Sequence, residues 1–204
     1  MNSDDIFRYL IEAPWIVFLV YWVITAMKTR ATVRQESAAS RYGVLTLEIA
    51  GFLLLFNQRA NIGVLALHVF PRTMAGAVAG TVATWVGIGV ALWARAHLGQ
   101  YWSARITLKE DHQLIRTGPY ARLRHPIYTG LDLAAIGSAV VIDHWRCVPG
   151  VTLIILGYVI KARREEHLLA GQFGAAFEEH RKHTGFLLPR CRVESEGART
   201  GDPK

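Results

Sequence analysis

Cysteine is nearly absent from this 204-residue chain: Cys147 and Cys191 are the only two, and the topology implied by the charged loops puts them on opposite sides of a membrane. That excludes a disulfide framework, and no ligand cluster for zinc accompanies them, so no metal is expected. Charged residues are also scarce, 19% against 51% hydrophobic, below the roughly 25% of ordinary soluble domains. A basic leader is missing as well, because the N-terminus opens on Asp4 and Asp5. The first apolar run is therefore expected to remain as a membrane helix rather than be cleaved as a signal peptide. The net charge of +7 sits in Lys and Arg residues between long apolar runs, in no stripe or nucleic-acid module, which argues against a nucleic-acid partner. A dinucleotide fingerprint is lacking too, since Gly87-x-Gly89 lies inside an apolar run with no preceding strand.

What is present is apolar sequence in blocks, with a mean hydropathy of +0.21. A spanning helix needs about 20 mostly apolar residues, and shorter runs are completed by interfacial flanks. Five segments qualify: residues 9–27, 42–56, 74–94, 127–142 and 147–160. The last two are separated only by Asp143, His144, Trp145 and Arg146, which predicts a tight helical hairpin. The run ANIGVLALHVF, residues 60–70, is too short to cross and reads as re-entrant or interfacial. The fold class expected is all-α, a polytopic membrane protein of about five spans with a C-terminal helical hairpin and an interfacial amphipathic helix. That last helix is marked by Leu169, Phe173 and Phe177 recurring four apart amid charged residues.

Cytoplasmic loops are enriched in Lys and Arg. Here Lys28, Arg30, Arg34 and Arg41 fall in the first loop, Arg95, Arg105, Lys109, Arg116, Arg122 and Arg124 in the third, and Lys161, Arg163 and Arg164 at the tail. Five spans put all three on one side, giving an N-out, C-in membrane protein with its chemistry on the cytoplasmic side. The chain divides into N-terminal spans (1–94), a core (95–189) and a polar tail (190–204) expected to be disordered. Gly76, Gly80, Thr84 and Gly87 form a small-residue stripe for close helix packing. The six tryptophans read as interface or packing aromatics. Glu48 and Asp132 lie inside apolar runs, where an ionisable group tends to face a pocket or a partner.

Polar groups gather where a hairpin would return its ends: HQLIRTGPYARLRHPIYTG (112–130) and KARREEHLLAGQFG (161–174). Arg124, His125 and Tyr128 should then face Lys161, Glu165 and Glu166 across one pocket. The bland alternatives are positive-side anchors for Arg124 and His125, and solvated pairs of Glu165 and Glu166 with Lys161 and Lys182.

RHPIYTG (124–130), EEHLL (165–169), FG (173–174) and FLLP (186–189), with HQLIRTGPY (112–120) upstream, resemble the isoprenylcysteine carboxyl methyltransferase family and related phospholipid methyltransferases. The resemblance covers roughly residues 97–190 and rests on joint spacing. It implies a methyltransferase using S-adenosylmethionine and releasing S-adenosylhomocysteine, acting on a lipophilic small molecule or prenylated substrate drawn from the membrane lipid. It also implies cofactor binding by His112, Gln113, Leu114, Ile115, Tyr120, His125, Pro126, Ile127, Tyr128 and Glu165. Lys161 falls where the family has a substrate-contacting arginine, and lysine offers a point charge in place of a planar fork. Arg164 or Arg124 can supply that fork, and Glu166, His167 or His125 would take the proton of an acceptor that is an amine or phenol. Arg105, Phe177 and His180 depart from the family pattern. N-methylation of a phospholipid is the alternative chemistry. A membrane sterol reductase using NADPH shares parts of the hairpin pattern. A non-catalytic scaffold or small transporter with lipid-binding basic loops is the alternative of another class.

Overall fold

The computed structural model describes residues 3–26, 32–35, 38–99, 107–109 and 114–190. Six helices occupy most of them: α1 (Ser3–Ala26), α2 (Ala38–Phe56), α3 (Met74–Leu98), α4 (Pro126–Ile142), α5 (Cys147–Phe173) and α6 (Ala175–His183). The all-helical expectation holds, with one small addition. Two short extended stretches, β1 (Thr32–Gln35) and β2 (Thr107–Lys109), pair antiparallel and join the α1–α2 and α3–α4 connections.

Two helices are long and apolar enough to cross a membrane, Asp5–Thr25 and Met74–Leu98, while Tyr42–Phe56 and Pro126–Ile142 are shorter apolar helices. At about 1.5 Å per residue, the 25 residues of α3 cover a hydrocarbon core of roughly 30 Å. Neither long helix is a soluble core element, because only 22% and 28% of their apolar windows are buried. Ile16, Val20 and Val23 on α1 and Val78, Val82 and Val86 on α3 face outward. So extended an apolar exterior needs lipid as its solvent, and the chain is a membrane protein.

Glycines decide which helices touch. α3 lies against α4 through Gly80 on Gly137 and Gly87 on Gly130, where any Cβ would overlap the facing backbone. Gly51 and Gly150 make the corresponding approach of α2 to α5. The small-residue stripe thus has a partner for Gly80 and Gly87, whereas Gly76 meets only its own N-cap, Thr73. Beside it, Trp15 Nε1 donates to Ser138 Oγ at 3.0 Å, and Ser138 Oγ lies 3.3 Å from Thr84 Oγ1. These buried polar groups are therefore satisfied across α1, α3 and α4. The aromatic reading holds for Trp15, in the core, and for the exposed Trp85, Trp93 and Trp145.

Consequently α4 packs chiefly on α3, and α5 chiefly on α2. The tight α4–α5 hairpin read from the short turn is looser than expected, because the glycine contacts pull each helix to a different neighbour. Asp143 makes the turn in the left-handed conformation (φ 52°). Its Oδ1 accepts from Val69 N at 3.2 Å and Phe70 N at 3.0 Å. The 60–70 segment is thereby clamped over the turn; it follows one 3-10 turn, Gln58–Ala60, and contains a second, Gly63–Ala66. It does not re-enter the helical layer; Ile62, Val64 and Phe70 stay exposed.

The fifth helix also runs past residue 160, unbroken to Phe173, ending where Gly174 takes φ 48°. An apolar run measures membrane thickness, not helix length, and the Arg, Glu and Leu residues beyond it are good helix formers. The expected amphipathic helix is therefore split at Gly174 between α5 and α6, and Phe177 is buried against the protein rather than laid on lipid.

Candidate active site

The site begins where the chain enters α4. After a 3-10 turn (Gly118–Ala121), Pro126 occupies the first helical turn, where its missing N–H costs nothing. The entry segment is held by the residues after α6. Arg124 N donates to Gly185 O at 2.9 Å, Gly185 N donates to Arg122 O at 3.0 Å, and Thr129 Oγ1 donates to Leu187 O at 2.8 Å. The Arg124 guanidinium donates through Nη1 to Thr184 O at 2.6 Å and lies over the Phe186 ring, 5.7 Å from its centroid.

Across from this entry stands one face of α5. Tyr158, Lys161 and Glu165 recur at helical spacing, with Glu166 beside them. Arg124 Nε donates to Glu166 Oε1 at 2.5 Å, and His125 Nε2 lies 3.2 Å from the same oxygen. A carboxylate only accepts, so that contact places the proton on Nε2. The other ring nitrogen, Nδ1, lies 3.7 Å from Glu165 Oε2, which also accepts from Tyr128 OH at 3.2 Å. Aromatic rings continue the wall: Tyr128 stacks on His125 (centroids 5.7 Å apart) and on Tyr158 (5.2 Å), and Phe186 meets His125 edge-on at 5.1 Å. Lys161 Nζ is 5.9 Å from the Tyr128 centroid and 3.5 Å from Glu48 Oε1 on α2.

Burial opposes ionisation of Glu166, but hydrogen bonds from His125 and Arg124, and their charges, outweigh it and hold the carboxyl below its ordinary value of 4.5. The phenol of Tyr120 is pushed up by burial and then by Glu165, so it stays protonated. His180 is pushed down by burial and by Arg116, Arg124 and His183. A depressed acid stabilises the fold above its unfolded pKa and loses that contribution as pH falls through the folded one. Thermal melting should therefore show an acid-side drop below about pH 4.5 that shrinks in Glu166→Gln; an unchanged drop contradicts the pairing.

Of the residues expected to act together, Arg124, His125, Tyr128, Lys161, Glu165 and Glu166 form this one cluster. Pro126 and Ile127 are buried at the helix start, and Ile115 packs on the core. Leu114 is half-buried nearby. Tyr120 is buried with its hydroxyl 3.5 Å from Ala94 O, on the α3 side. Arg164 is half-buried on the same stretch of α5. His112, Gln113 and Arg105 lie outside the described residues. Neither carboxylate forms the solvated pair of the bland alternative: Glu166 takes Arg124, Lys182 takes Glu179 and Lys161 takes Glu48. Sequence reasoning missed Tyr158 and Phe186. Tyr158 is betrayed by its place three residues before Lys161; Phe186 has only its position in the closing FLLP.

With this geometry in view, residues 81–171 match the sequence profile of the Isoprenylcysteine carboxyl methyltransferase (ICMT) family. The nickel-cobalt-cadmium resistance protein NccN of Alcaligenes xylosoxydans xylosoxydans is 27% identical over 117 residues, 54% of each chain. A protein-S-isoprenylcysteine O-methyltransferase of Tribolium castaneum is 30% identical over 80 residues, 39% of this chain and 28% of its own. The enzyme of that name in Schizosaccharomyces pombe is 29% identical over 99 residues, 47% of this chain and 42% of its own. The chain thus spans about half the length of NccN and less of the two methyltransferases. Over residues 81–171, from mid-α3 through nearly all of α5, the chain is thus similar to the isoprenylcysteine carboxyl methyltransferase family.

Proposed function

We propose that this protein is an integral membrane methyltransferase that uses S-adenosylmethionine to methylate a lipophilic acceptor at the cytoplasmic interface. The observation that carries this reading is the joining of the α4 entry to α5 through Arg124 and His125 on Glu166 and Tyr128 on Glu165. The residues present suit the cofactor. Glu165 is held at one oxygen by Tyr128 yet its side chain remains 37% exposed, open to an ammonium group. His125, Tyr128 and Tyr158 offer stacked rings for a purine, and a cation gains by lying over such faces. When bound, S-adenosylmethionine supplies the methyl group and a sulfide leaving group.

The protein's share is positioning and exclusion of water. Arg124 and Glu166 fix the loop entering α4, so Tyr128 and His125 keep their orientation without reorganising during reaction. An acceptor drawn in from lipid is stripped of water there, which raises the reactivity of an anionic oxygen. A carboxylate acceptor needs no base; an amine or phenol must pass its proton to a neighbour, with Glu166 and His125 the nearest groups.

The same reading has five helices crossing the bilayer, N-terminus outside. The Lys- and Arg-rich connections support it, since they fall at the ends of α1, α3 and α5 where β1 and β2 also meet.

The relatives' names point to a prenylated cysteine carboxylate as acceptor. N-methylation of a phospholipid amine is the second reading, favoured by Lys161, whose ammonium is already paired with Glu48 at 3.5 Å. Purified protein given methyl-labelled cofactor and a panel of prenylcysteines, phospholipids and lipophilic acids separates the two. A base-labile, volatile methyl ester is the expected product; a base-stable methylamine selects the second reading, and no transfer to any acceptor contradicts both.

A further inference from the structure

Glu48 stands midway along α2, inside an apolar run and well before the matched stretch that begins at residue 81. An ionisable group at that depth is costly and marks a pathway or a partner. Its side chain crosses to α5 through the notch at Gly157, where a Cβ would meet Glu48 Cγ at 3.0 Å. There Lys161 Nζ donates to Glu48 Oε1 at 3.5 Å, with the Glu48 side chain 13% exposed and that of Lys161 23%. Glu48 also lies within electrostatic reach of Tyr128 and Tyr158, and Lys161 Nζ is 5.9 Å from the Tyr128 ring centroid. It therefore faces the same aromatic wall as Glu165, from a third helix.

Stability alone accounts poorly for this contact. Charge-assisted hydrogen bonds settle at about 2.7–2.9 Å, so 3.5 Å is a loose pairing. Two charges taken out of water gain little from one loose contact. Among the described residues it is the one hydrogen bond of either side chain, although an ammonium has three N–H groups to give. Lys161 is thus held by Glu48 and still keeps donors for a second anion.

We propose that Glu48 is a positioning residue that competes with the acceptor's carboxylate for Lys161. The inference rests on the proposed transfer to a lipophilic carboxylate. In the empty site Glu48 holds the ammonium near Tyr128. With the acceptor in place, Lys161 is shared between two carboxylates. The acceptor is then bound less tightly than by an unshared lysine, and its oxygen keeps more negative charge for attack. That oxygen forms the bond to the methyl carbon, the carbon–sulfur bond breaks, and its electron pair leaves on the neutral sulfide. No proton moves, and Glu48 stays ionised throughout.

Equilibrium binding to the detergent-purified full chain, without cofactor, separates this inference from the reaction it rests on. The probes are N-acetyl-S-farnesylcysteine and its methyl ester. Glu48→Gln should bind the acid about tenfold more tightly than the unaltered protein does, and the ester equally, as expected when one charge repulsion is removed. Glu48→Asp, which withdraws the carboxylate by one carbon, should fall between the two. Lys161→Gln should lose the preference for acid over ester. In the transfer assay Glu48→Gln should lower KM and kcat together, a pattern that loss of packing alone does not produce. An acid affinity unchanged in both Glu48 variants, or an equal gain for acid and ester, overturns the proposal even where methyl transfer proceeds. An acid-selective gain in a protein that transfers no methyl group counts against the proposed reaction alone.

Discussion

Glu165→Ala is expected to weaken binding of S-adenosylhomocysteine by roughly 10- to 150-fold in calorimetric titration, the loss of one hydrogen bond to a charged group. Glu165 is the carboxylate of the cluster best placed for a ligand amine. It is held by Tyr128 OH at 3.2 Å and lies beside His125, while Glu166 is taken up by Arg124. His125→Ala should act through a second route, removing a ring from the aromatic wall and one hydrogen bond from Glu166. Glu178→Ala, on the exposed side of α6 and paired with Arg181, serves as control and should bind as the unaltered protein does. Near-normal affinity in both Glu165→Ala and His125→Ala would refute the site.

The largest structural effect is expected at Gly87. A Cβ there would lie 2.5 Å from Ala134 N and overlap the Gly130 carbonyl, backbone that cannot move without parting α3 from α4. Gly87→Leu should cost more than about 3 kcal/mol and leave little monodisperse protein on size exclusion. Gly89→Leu, two residues along the same helix and with nothing within 4 Å of its Cβ, should fold normally. Equal yields from the two variants would contradict the packing described for α3 and α4.

These two positions also show what the sequence could and could not reveal. Gly80 and Gly87 were legible because small residues four and seven apart mark a helix face without reference to the partner. The partner was not: Gly130 and Gly137 lie in another apolar run, and only the folded chain matches the two faces. The same holds for charge. Glu48 and Lys161 each stand out as ionisable groups near the bilayer, but their pairing across α2 and α5 needs the approach made by Gly51 and Gly150. Arg124, His125, Tyr128, Glu165 and Glu166 were legible as a set, since a chain that turns back after α4 brings its ends together even when the two helices pack on different neighbours. Phe186 was hidden for another reason. Its segment is held by the main-chain oxygens of Thr184, Gly185 and Leu187, and backbone acceptors leave no trace in residue type. The length of α5 escaped because hydropathy reports where lipid ends while the helix continues into water on Arg, Glu and Leu.

Photocrosslinking of methyl-labelled S-adenosylmethionine to the purified full chain, followed by peptide mapping, addresses the central claim directly. The account predicts label on residues 114–128 or 158–166, displaced by excess S-adenosylhomocysteine. Label confined to α1 or α2, or label that the product does not displace, would contradict a nucleoside pocket between the start of α4 and the Glu165–Glu166 stretch of α5.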